Sequence, residues 1–144
     1  MSKDVKSLFD TEARTLDREA MAAKADMQQL VGQLAALPPD AQASIRERID
    51  SDRRRLEAIV AQAERVLQKQ HVDRAAELAS LELELEGQVD ELKRKRIEAS
   101  KAEAEADYEN NRYTLESARV HATDGIELGM KSVRVSESSL SRGY

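Results

Sequence analysis

The pair Pro38-Pro39 constrains this chain more than any other feature. Neither proline has an amide hydrogen to give to a helix, and Pro38 biases Leu37 away from helical dihedrals. A helix arriving from the N-terminal side must stop there. Proline also suits the first turn of a helix, and Asp40 puts a negative charge at the end of the dipole that favours one. Leu37-Pro38-Pro39-Asp40 therefore ends one helix and starts another with almost no loop. A connection that short makes antiparallel neighbours.

Before the turn the apolar pattern is unbroken. From Val5 it runs through Phe9, Ala13, Leu16, Ala20, Ala23, Met27, Leu30, Leu34 and Leu37, in steps of three and four. A seam this long belongs to helices that wind around a partner. Its three alanines let that partner approach closely. Ser2 is placed as the N-cap, and Gly32 lies off the seam, where it weakens the helix only locally.

After the turn, Ile45, Ile49, Leu56, Val60, Ala63 and Leu67 share a face that Asp52 or Arg53 interrupts. Beyond Leu67 the steps become 4, 4 and 3, through His71, Ala75 and Leu78 and again from Leu81 to Leu92. Such eleven-residue spacing unwinds a left-handed supercoil and predicts a straighter helix. Leu81-Glu82-Leu83-Glu84-Leu85-Glu86 alternates like a strand, but Leu and Glu are strong helix formers, and the surrounding pattern is helical. Its consequence is that Leu83 lies on a different face from Leu81 and Leu85.

Gly87 stands alone between Glu86 and Gln88, with no proline or turn cluster. One glycine costs about 1 kcal/mol in a helix interior, so the helix is expected to run through it. The next stop is Thr123-Asp124-Gly125, with Gly125 as a left-handed C-cap. Residues 126–144 hold five serines and show no helical face. The expected organisation is a first helix at 3–37, a turn at 38–40, a long second helix at 41–123 and a polar tail at 126–144. The fold class is all-α: an antiparallel coiled-coil helical hairpin whose long second helix overhangs and oligomerises, with a flexible C-terminal tail.

At 1.5 Å per residue the second arm is about 125 Å long and the first about 50 Å. The overhang presents Leu78, Leu81, Leu85, Val89 and Leu92, with Leu83 on another face. These six are the candidate interaction residues. Either the chain folds back at Gly87 into a three-helix bundle or these side chains pair with another chain. The isolation of Gly87 favours intermolecular pairing through 73–109.

Chemistry is sparse. Charged residues make up 35% and aromatics 3%, a composition of long helices. A net charge of −5 argues against a nucleic-acid partner. No apolar run approaches the 18 or so residues of a membrane span, and Met1-Ser2-Lys3-Asp4 lacks the layout of a signal peptide, which leaves the cytoplasm as the default location. The absence of cysteine removes thiolate catalysis and thiolate metal sites. His71 and His121 follow Gln68 and Ala118 by three, where a bundle-type di-iron site needs Glu. His71 is expected to pack, as is Tyr108. No Ser-His-Asp arrangement and no Gly-rich phosphate loop is present.

The expected protein has no catalytic residue, metal, cofactor or small-molecule substrate. Its charge comes in blocks: Arg53–Arg55 basic, Glu77–Glu91 acidic, Lys93–Arg96 basic. Across chains such blocks set register. The expected function is a structural or interaction protein, a self-associating coiled-coil rod or assembly scaffold whose partners are itself and another protein. The alternative is a soluble secretion-type stalk or chaperone whose hairpin binds a larger machine or an exported protein.

Overall fold

The structure, a computed structural model, describes residues 3–87 and 89–142, with side-chain surroundings at 10–87 and 89–135. The N-cap assigned to Ser2 and the seam side chains Val5 and Phe9 lie outside the described residues. Three helices, α1 (Lys3–Ala36), α2 (Ala43–Glu86) and α3 (Glu91–Arg142), pack pairwise around one core. No strand occurs among the described residues.

The α1 seam is as its spacing dictates. Ala13, Leu16, Ala20, Ala23, Met27, Leu30 and Leu34 are all buried. The proline corner closes as a short 3-10 turn, Pro39–Ala41. Gln42 ties it down. Its side-chain amide donates to the carbonyls of Leu34 (3.2 Å) and Leu37 (3.0 Å), oxygens that the ended helix leaves without partners, while its oxygen accepts from Arg46 at 3.1 Å. Glu12 then meets Gln62, and Asp26 meets Arg55, so α1 and α2 run antiparallel.

The inward face of α2 differs by one position from the expected one. Ile45, Ile49, Leu56, Ile59, Ala63, Val66 and Gln70 are buried, whereas Val60 and Leu67 pack from the flank and His71 is exposed. Counting half-buried Asp52, these positions step by three and four without a stutter. Two neighbours, not one, explain the shift. A helix wedged between two others turns two adjacent stripes inward, and the larger aliphatics of the flanking stripe read as the seam.

The second helix does not overhang as a continuous rod to residue 123. It ends at Glu86, and α3 returns antiparallel along it, with Arg74 facing Glu105 and Glu82 facing Lys101. Gly87 is extended (φ −77°, ψ 176°), and its N–H reaches back to the Glu84 carbonyl at 3.4 Å. Three residues on, the Asp90 carboxylate accepts from the Lys93 N–H at 2.7 Å and caps α3. A cap of this kind is worth about 1 kcal/mol. Together with the burial of Ile97 and Ala104 against α2, it outweighs the few helical bonds lost at the break. Expected pairing of 73–109 with a second chain is thus met within the chain, at least on the α2–α3 seam.

The expected C-cap at Gly125 and the flexible tail expected at 126–144 are also overturned as far as Arg142, residues 143–144 lying outside the described residues. α3 continues without interruption through Gly125 to Arg142. No described glycine has positive φ. A Cβ at Gly125 would sit 2.8 Å from Leu56 Cδ1, and one at Gly129 would sit 2.8 Å from Met27 Sδ and 3.3 Å from Ile49 Cγ2. These glycines let α3 press against both other helices. Ile126, Leu128 and Val133 pack onto the same core, which is why residues up to there are ordered into helix by tertiary contact and not by their own weak pattern.

Candidate interaction surface

Lys24 of α1 meets Asp124 of α3 at 3.5 Å, and Glu12 of α1 meets Gln62 of α2 at 2.9 Å. Following those registers back to Lys3, α1 starts near the level of residues 71 on α2 and 103 on α3. The α2–α3 hairpin beyond that level is a two-helix finger, about 20 Å long. At its root, Arg74 pairs with Glu105 at 3.4 Å and stacks its guanidinium 4.0 Å above the Tyr108 ring. His71 lies beside both, 3.3 Å from Arg74 and 6.1 Å from the Tyr108 centroid. It is held by surface contacts and is not packed in the seam as expected.

The six candidate residues all lie on the finger, in two groups. Leu78, Leu81, Leu85 and Val89 are half-buried, while Leu83 is 69% exposed and Leu92 61% exposed. Leu83 and Leu92 are thus the two that the fold leaves to solvent. Leu81, Leu92 and Ile97 form the floor of an open groove of about 450 Å³ between the two helices, with Glu84, Asp90, Lys93, Arg96 and Ser100 around it. Exposed apolar side chains also occur on the body: Met21 stands outside the grooves, while Met130 and Val120 line shallow ones. Sequence reading marked the Lys93–Arg96 block, which supplies the groove cations, but missed Ile97 and Asp90. An acidic residue three positions after Gly87 was the available signal, since Asp is a preferred N-cap.

Charge on the finger runs against the helix dipoles. α2 has Glu82, Glu84 and Glu86 near its negative end and no basic residue in its last turn. α3 has Lys93, Arg94, Lys95 and Arg96 within its first two turns, all exposed. Within a terminal turn, where Glu84, Glu86 and Lys93 lie, such a charge costs about 0.3–1 kcal/mol, whereas Asp90 and Glu91 favour the start of α3. Among the described residues, Glu84, Glu86, Lys93, Arg94 and Arg96 make no ion pair. On the body the basic block is neutralised locally: Arg53 and Arg54 pair with Asp50, and Arg53 also with Glu57. The hydrogen bond from Arg53, helped by the charges of Arg54 and Arg53 against partial desolvation, holds the Asp50 carboxyl below its ordinary pKa.

A second groove, of about 360 Å³, lies between α2 and α3 at the other end, over Ile49, Gly129 and Val133. Of its three guanidinium groups, Arg46 is engaged by Gln42 and Arg53 by Asp50 and Glu57, and Arg134 lines the rim. Among the described residues, no three His, Cys, Asp or Glu side chains come together to hold a metal ion. No described helix is long and apolar enough to cross a membrane. Comparison with protein-family models, curated proteins and solved structures finds no match to this chain.

Proposed function

We propose that the chain is a non-enzymatic interaction protein, an assembly scaffold whose three-helix body carries the α2–α3 finger, an antiparallel coiled-coil hairpin, to a protein partner. The observation that carries this reading is the finger itself. Two large apolar side chains, Leu83 and Leu92, stand exposed there beside charges that disfavour their own helices. Exposing a leucine forgoes about 1.5–3 kcal/mol of burial. Departures from local folding rules concentrated in one place are the mark of a surface with another task. Self-association is the second reading. It is supported by opposite charge on the two helices of the finger, but folding back has taken up the seam side of Leu78, Leu81 and Leu85. The test is a photo-crosslinking residue placed at 83, at 92 or, as control, at Glu19 on the body, in living cells. Discrete adducts from 83 and 92 alone support the finger as the contact. Equal labelling from all three sites counts against it, and sedimentation of the purified chain separates self-adducts from adducts with another protein.

A further inference from the structure

The groove on the finger lies on the side of the molecule that α1 occupies in the body. Arg96 is four heptads before Asp124, which reaches Lys24 of α1, and so shares its helix face. Glu84 is three heptads after Ala63, which is buried in the three-helix core. The α3 wall of the groove is therefore the face that holds α1 further down, and Glu84 on the α2 wall continues the face that turns into the core. The described part of α1, which starts at Lys3, lies below the level of the groove.

Resting on the reading of the finger as a contact surface, we propose that this groove is the docking slot for one further α-helix, supplied by a protein partner and laid end to end with α1. Its length accommodates about thirteen residues, or three to four turns. The floor of Leu81, Leu92 and Ile97 calls for an apolar stripe at helical spacing. The two edges call for opposite charges: basic residues along α2, where Glu84 stands, and acidic residues along α3, where Lys93 and Arg96 stand. An anionic lipid surface or a nucleic acid satisfies only the α3 edge and is repelled at Glu84. A second finger laid antiparallel and face to face would, by the twofold symmetry of that arrangement, set α2 on α2 and Glu84 on Glu84. A helix with one basic and one acidic flank meets both edges, as the flanks of paired helices do.

The probe is a set of three synthetic helical peptides of about twenty residues, equal in length and leucine stripe. One has a Lys flank and a Glu flank, one has Lys on both, and one has Glu on both. Binding to the full chain is read by fluorescence anisotropy at low salt. The mixed-flank peptide is expected to bind at least tenfold more tightly than either of the others. Glu84→Lys should reverse the ranking in favour of the all-Glu peptide, and Leu92→Glu should abolish binding of all three. Both substituted residues are exposed, so circular dichroism and melting should stay as in the wild type. Equal binding of the three peptides, no binding, or an unchanged ranking in Glu84→Lys overturns the slot. Crosslinks from 83 and 92 in cells alongside such a result leave the finger as a contact surface and remove only the helix-in-groove proposal.

Discussion

The same substitution, glycine to alanine, should have opposite effects at two places in this chain. At Gly32 a Cβ meets nothing within 4 Å, and the residue is exposed. Only helix propensity acts there, so Gly32→Ala should stabilise by about 1 kcal/mol. For a chain of this size that is a rise of about 3 °C in Tm. At Gly129 the same propensity gain is opposed by contact. The new methyl would lie 2.8 Å from both Met27 Cε and Met27 Sδ and 3.3 Å from Ile49 Cγ2, well inside ordinary packing distance. Met27 is itself fully buried, so it has little room to retreat, and overpacking of this kind costs about 1–3 kcal/mol. The net for Gly129→Ala is no gain or a loss of up to about 2 kcal/mol, and Gly129→Leu should prevent α3 from docking along that half. Thermal and urea melts of the two alanine variants against wild type measure the difference. If Gly129→Ala stabilises as much as Gly32→Ala, the C-terminal half of α3 is not pressed against α1 and α2, and the packing account fails.

Ending the chain after Gly125 removes the contacts of Ile126, Leu128, Gly129 and Val133, and should lower stability by roughly 3 kcal/mol; an unchanged melt would return that segment to the status of a tail. Asp90→Ala deletes the α3 cap and should cost about 1 kcal/mol, seen by hydrogen exchange as faster opening confined to residues near 91–97, with global melting little altered. Asp52 has its carboxyl pKa raised by desolvation first and by the charge of Asp26 second. A carboxylate with a raised folded-state pKa destabilises once it ionises, so Asp52→Asn should be more stable than wild type at pH 7, and the difference should vanish as pH falls below the unfolded value near 4. A gap between the two curves that persists at pH 3 would rule out this electrostatic cause.

How much of this fold can be read from the residues varies along the chain. α1 is legible from Ala13 to Leu34 because its buried positions hold Leu, Met and Ala in an unbroken three-and-four register. On α2 the pattern is legible but misaimed, because Val60 and Leu67 on the flank are as apolar as Ile59 and Val66 inside. On α3 the inward positions hold two large aliphatics, Ile97 and Leu115, among Ala104, Asn111, Ala118, Ala122, Gly125 and Gly129, which a search for large apolar side chains passes over. Their smallness is the packing signal, since it matches the alanines of α1, but smallness alone does not distinguish a close contact from a break. The site divides in the same way. The leucines of the finger announce themselves, whereas which of them stay exposed depends on a reversal at Gly87 that local propensity weighs too lightly.

The order in which contacts can form also follows from the course of α3. Glu82 and Lys101 are separated by nineteen residues, so the finger is a local zipper that can close around Gly87 early. Lys24 and Asp124 are a hundred residues apart, and their meeting requires nearly the whole chain. During synthesis α1 and α2 emerge first and hold Met27, Ile49 and Leu56 on a face that nothing covers until the last third of the chain arrives. A ribosome-bound chain stopped at Gly87 therefore carries a sticky two-helix intermediate, and it is the late, small-residue half of α3 that ends its exposure to aggregation and to chaperones.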